Sequence, residues 1–380
     1  MCCKTLFCTV VMLCSALYSY SPQQKIDLSG FINSAHHWYD VSEKANIINP
    51  RPNQPQYQKN QVKEIADNIL LYQRDNGGWP KNYDMRAVLT ELQKQEILKA
   101  KSLKHTTFDN STTFSQIRYL AKAYQTVKDE RYKQSALAGI DFTLSAQYDN
   151  GGWPQFYPLL DNYTTHITFN DGAMIGIMNL FKDILDNEPF FSFVDDARRK
   201  KIKKAFDKGL DCILRCQIQE DGNLIGWCQQ HDERDFTPAK ARAYELPAIC
   251  NAEGAQITIF LMGLDNPTQQ VINAVDGAVK WFEQSKILGI RVEEIESTEI
   301  KFASRVNTTK RDRIVVNDPN APPIWARFYK LKTHEPFFSN RKSEILKTMA
   351  EVDRERRVGY SWYTYKPQEV LDKYPAWKNK

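Results

Sequence analysis

Asp75-Asn76-Gly77-Gly78-Trp79-Pro80 recurs letter for letter at Asp149-Asn150-Gly151-Gly152-Trp153-Pro154. A looser third copy runs from Asp221-Gly222-Asn223 to Gly226-Trp227 after a similar interval. Each copy follows an apolar pattern of helical period, and self-similarity at this spacing marks stacked helical units rather than a doubly wound sheet. In the tracts Gly77 and Gly151 fit the left-handed turn that ends a helix, and Pro80 and Pro154 keep it from continuing. Working outward, Val62, Ile65, Ile69 and Leu70 form one apolar stripe before the first copy. Leu137, Ile140 and Leu144 do so before the second, and Phe206, Leu210, Ile213 and Leu214 before the third. These read as amphipathic outer helices. The segments after the loops, Phe114 to Tyr124, Ala173 to Leu180 and Ala255 to Leu264, are more uniformly apolar and read as buried inner helices. The predicted fold is all-α, an (α/α)3 toroid of three outer–inner pairs whose loops form a cup at one end.

Residues 1–20 read as a secretory signal, with Lys4 ahead of the apolar run Leu6 to Leu17, which is short for a membrane span. Residues 21–60 then form an N-terminal arm and residues 61–380 the toroid domain. The expected location is secreted or periplasmic, with a lipid anchor at Cys14 as the alternative. Of eight cysteines, Cys2, Cys3, Cys8 and Cys14 fall in the leader. The others, Cys212, Cys216, Cys228 and Cys250, surround the third repeat. No CxxC pair suggests zinc, and a helical turn separates Cys212 from Cys216, which suits apolar packing better than a disulfide. The net charge of +5 calls for no polyanionic partner. The basic cluster Lys301, Arg305, Lys310, Arg311 and Arg313 lacks a nucleic-acid recognition module, so it reads as a solvated face or a local anion site.

Just before the first two inner helices stand Phe108-Asp109-Asn110 and Phe169-Asn170-Asp171. One N-cap needs only one such residue, so a doubled Asp/Asn at matching points leaves a spare carboxylate facing the cup. Oxygen donors gathered at one mouth suit a hard cation such as Ca2+, with Asp171 the first choice of ligand and Asp109 its partner. Gln229-Gln230-His231-Asp232, after the third loop, is expected to line the cup, and His231 is a rival base. The tryptophans Trp79, Trp153 and Trp227 either stack on sugar rings or pack in the core.

The strings DNGGWPKNYD (75–84), TTFDNSTT (106–113), ITFNDGAM (167–174), GWCQQHD (226–232), PAKARAYELP (238–247) and PPIWARFY (322–329) resemble those of the polysaccharide lyase family 10 pectate lyases, in the same order. The string Gly359-Tyr360-Ser361-Trp362-Tyr363 extends the likeness. The resemblance implies the (α/α)3 toroid and Ca2+-dependent β-elimination of polygalacturonate, by a monomer with no membrane span and no nucleic-acid partner. It implies Arg242 as the base and Asp109 and Asp171 as metal ligands. Arg313 and Arg327 would hold substrate carboxylates, with Asn110, Gln230 and His231 also at the substrate. Arginine is an unusual base, because a guanidinium titrates above about 12. The alternatives are a toroidal glycoside hydrolase using two of Asp109, Asp171, Asp232 and Glu245, or a uronide-binding protein without turnover. On its residues alone, Arg242 also reads as an ordinary ion-pairing arginine, three positions from Glu245.

Overall fold

The computed structural model describes residues 25–40, 46–302 and 307–379. The leader read at residues 1–20 and the Arg305 position lie outside them. Among the described residues there are eleven α-helices: α1 (Ile32–Asp40), α2 (Val62–Tyr72), α3 (Glu91–Lys99), α4 (Phe114–Val127), α5 (Glu130–Ser145), α6 (Ala173–Leu185), α7 (Asp196–Arg215), α8 (Asn251–Met262), α9 (Gln269–Ser285), α10 (Arg354–Gly359) and α11 (Lys366–Lys378). Helices α4, α6 and α8 touch in order as one row, and α2, α5, α7 and α9 touch in order as a second row outside it. The outer row has one helix more than the expected three pairs, since α9 follows α8 and packs on it. Inner helix α6 buries Met174, Ile175, Ile177, Met178, Leu180 and Phe181, as its all-round apolar sequence requires.

The repeated loop is a tie between neighbouring outer helices. In each copy a tryptophan indole N–H donates to the helix just ended: Trp79 to Ile69 O (2.8 Å), Trp153 to Thr143 O (2.9 Å) and Trp227 to Ile213 O (2.8 Å). All three indoles are fully buried, so they are core residues and not sugar platforms. A glutamine before each loop then bridges outward. Gln73 donates to Gly77 O and Ser135 O, Gln147 to Gly151 O and Ala205 O, and Gln217 to Ile225 O and Ala274 O. Each glutamine thereby fastens its loop to the next outer helix. Gly77 (φ +91°) and Gly151 (φ +94°) are left-handed, as expected. Truncating Gln147 to Ala strands two carbonyls, and a loss of about 2 kcal/mol of stability is expected. A denaturant midpoint unchanged from wild type would refute the tie.

The frame is helical, but the all-α expectation left out a long antiparallel hairpin, Ile290–Lys301 against Thr308–Asn317. Its register places Glu294 opposite Arg313 and Glu296 opposite Arg311. Arg311 pairs with Glu294 at 2.9 Å, so the basic cluster is largely balanced across the strand. Short strands also knit the loops of the cup: Ile167–Thr168 pairs with Gln230–His231, and Ile249–Cys250 with Phe328–Tyr329. The four cysteines Cys212, Cys216, Cys228 and Cys250 are buried free thiols. No described helix is long and apolar enough to cross a membrane.

Candidate active site

The segments that lead into the first two inner helices, Asp109–Asn110 and Asn170–Asp171, meet in the wall of a cavity of about 710 Å³. Its wall includes Lys81, Asp109, Asn110, Asp171, Arg242, Tyr244, Glu245, Arg327, Arg356 and Tyr360. The doubled motifs adopt matching conformations. Asn110 (φ 52°, ψ 38°) and Asp171 (φ 52°, ψ 22°) are both left-handed, at the same point of the two repeats. Helices α4 and α6 are capped at Thr113 and Gly172 with no side-chain cap bond, so neither carboxylate serves as a helix cap. The ordinary explanation for these residues is thereby removed.

Asp109 is buried and accepts from Lys81 Nζ at 2.8 Å through Oδ2, while its Oδ1 has no partner. Asp171 lines the same cavity, close enough to feel the Asp109 charge, and opens to the water of the cup. Burial in the walls, and then the Asp109 charge, raises the Asp171 carboxyl. For Asp109 burial works the same way, but Lys81 overcomes it and holds that carboxyl low. The two therefore titrate as one unit, with the first proton on Asp171. An unpartnered buried oxygen beside a second carboxylate, with oxygen donors throughout, fits a hard cation. Asn110 is tightly held, accepting from Asn33 Nδ2 at 2.7 Å and donating to Asn82 Oδ1 at 3.0 Å.

Arg242 is half open to the cup and pairs with Glu245 through Nε (2.7 Å) and Nη2, whereas Nη1 has no partner among the described residues. Enclosure in the wall disfavours the Arg242 charge, yet the Glu245 carboxylate more than offsets it, and the guanidinium keeps its proton above the ordinary range. Arg327 pairs with buried Glu253 at 2.5 Å and lies 4.5 Å from the centre of the Tyr360 ring. Glu253, in the first turn of α8, lies behind the cavity wall and holds Arg327 from the third inner helix.

Other expected site residues fall elsewhere. Arg313 stands on the hairpin, outside the cavity wall, and reaches Tyr360 O at 3.4 Å. Gln230 is fully buried and donates to Asn170 Oδ1 at 3.2 Å, steadying the Asp171 turn from behind. His231 is corrected outright. It is fully buried, Cys228 N donates to its Nε2 (3.0 Å), and its Nδ1 faces Phe236 O (2.7 Å). Burial lowers it to about 4, so it is neutral, closed off from the cup and no rival base. Asp232 gathers with His166 and Glu233 outside the cup wall. Sequence reasoning gave no role to Lys81, Glu253 or Arg356, and took Tyr360 only as part of an aromatic string. Lys81 had a signal, directly following the first Trp-Pro.

The likenesses agree with this geometry. A family model described as pectic acid lyase matches residues 73–371. No curated protein matches the chain. An Asp-to-Ala mutant of a family 10 polysaccharide lyase from Cellvibrio cellulosa, in complex with trigalacturonic acid, is similar at 29% identity and a TM-score of 0.72, over 83% of this chain and 92% of that one. A second structure of a family 10 polysaccharide lyase from Cellvibrio cellulosa is similar at 26% identity and a TM-score of 0.70, over 94% and 99%. With its matched strings, its helical rows and this cup, the chain belongs to the family 10 polysaccharide lyases and is a pectate lyase.

Proposed function

We propose that the chain is a secreted, monomeric, Ca2+-dependent lyase that cleaves polygalacturonate by β-elimination, its helical rows closing as an (α/α)3 toroid. The observation that carries the reading is the pairing, in one cup, of the Asp109–Asp171 carboxylates with the Arg242 and Arg327 guanidiniums. Asp109 and Asp171 would hold Ca2+, which when bound to the uronate carboxylate acidifies the C5 proton and stabilises the charge that develops there. Arg327, in the cavity wall, would hold a uronate carboxylate, and Arg313, beside Tyr360, would hold another that extends beyond the wall. In its scarce neutral form Arg242 takes the C5 proton at the unpartnered Nη1, the C4–O4 bond breaks as the C4=C5 double bond forms, and the departing O4 takes a proton from water, while Glu245 fixes the plane of the fork.

The test is ultraviolet absorbance of unsaturated product from polygalacturonate, with Ca2+ or with chelator. A rise only with Ca2+ is expected, whereas new reducing ends without absorbance would sink the reading. A base that titrates far above the assay range also sets a pH profile. Between roughly pH 7 and 9, kcat/KM should rise about tenfold per unit without levelling. A plateau beginning near pH 7 would exclude Arg242 as the base.

A further inference from the structure

Arg356 is a buried cation that faces the Tyr244 hydroxyl and ring rather than a carboxylate among the described residues. It is 7% exposed, and its carboxylate partners among the described residues number none. Its single side-chain bond is from Nη1 to the neutral Tyr244 hydroxyl at 2.9 Å, and its Nε is buried without an acceptor. A buried guanidinium left without an anion is costly, and proteins pair such charges almost without exception. This one lines the cup.

We infer that Arg356 binds the carboxylate of a further galacturonate unit, next to the unit whose bond is broken. This rests on the proposed lyase reading. The Tyr244 ring links the two positions, since the Arg242 and Arg356 guanidiniums each stand 5.1 Å from its centre. The Tyr244 hydroxyl and the Trp362 indole, which donates to Arg356 O at 3.1 Å, hold the arginine in place without satisfying its charge. The substrate supplies the missing anion. A guanidinium that lines the cup without a carboxylate partner suits a carboxylate and not its methyl ester, so this position selects unesterified sugar.

The experiment compares Arg356→Met and Arg356→Lys with wild type, measuring thermal melting and calorimetric binding of an oligogalacturonate and of its methyl ester, all with Ca2+. Removing an uncompensated buried charge at similar volume should leave the melting temperature unchanged or raise it. Losing a charge-assisted contact should raise the Kd for the acid about tenfold or more, with the ester unaffected and Arg356→Lys intermediate. A fall of several degrees in melting temperature with the Kd unchanged would overturn the inference and make Arg356 structural. If wild type binds oligogalacturonate but forms no unsaturated product, the lyase reading fails while the Kd comparison still decides Arg356. If product forms and Arg356→Met binds like wild type, only the Arg356 inference fails.

Discussion

Arg242→Ala should lower the rate of unsaturated-product formation by about 10³-fold, the middle of the range for removing a general base. The same substitution also strips Glu245 of its main partner. That carboxylate is almost fully enclosed, and afterwards keeps the backbone N–H of residue 242 at 3.1 Å, the Tyr360 hydroxyl at 2.9 Å and the more distant Arg327 charge. Removing the partner of a buried charge costs at most about 3 kcal/mol when that partner is itself half open to water, so lost activity alone could reflect a destabilised protein. The double variant Arg242→Ala/Glu245→Gln separates the two effects, because a neutral amide at position 245 no longer leaves a buried charge. It should melt close to wild type and remain about 10³-fold slow. Arg242→Lys keeps the charge but loses the two-pronged grip of Glu245, and should recover no more than a tenth of the rate. Activity within about tenfold of wild type in the folded double variant would remove Arg242 from the chemistry and leave it as the partner of Glu245.

The second large effect concerns stability. Gly151→Ala should destabilise the protein by about 3–4 kcal/mol, from two additive sources. The position has φ +94°, which a Cβ disfavours by about 1 kcal/mol. A Cβ there would also stand 2.1 Å from Lys208 O in α7, and backbone on both sides leaves little room to relax. Gly222 provides the control within the same chain. Its φ of +77° is also left-handed, but a methyl group at that position would meet nothing within 4 Å, so Gly222→Ala should cost only the conformational part. Equal losses for the two variants, read from denaturant midpoints, would show that close approach to α7 contributes nothing.

What could be read in advance follows the range of the signal. Helical stripes such as Val62–Ile65–Ile69 and the Gly/Trp tracts are local patterns, and the elements they announce are present. The Asp109 and Asp171 turns were legible for the same reason, as doubled polar residues ahead of apolar helices. His231 was misread because its burial depends on Phe236 and Cys228, whose approach is set by the strand pairing Ile167–Thr168 with Gln230–His231. Arg356 was invisible because it sits in the run Arg354-Glu355-Arg356-Arg357, which reads as a solvated helical face. Only Tyr244, from more than a hundred positions away, turns that residue inward. The hairpin is charged on both strands, so it lacks the apolar alternation that marks a half-buried sheet. Its cross-strand pairing of Glu294 with Arg311 and Arg313 emerges only with the register.

The left-handed turns at Asn110 and Asp171 bear on how this protein would respond to selection in the laboratory. A side chain in that conformation is held against its own preference by about 1 kcal/mol at each position, and glycine would relieve the strain at both. A search for heat-resistant variants would therefore be drawn to the floor of the cup, where the easiest gains in durability coincide with the groups the chemistry needs. Robust versions of this protein are better sought in the outer row, at the helix ends and the glutamine ties, far from those two turns.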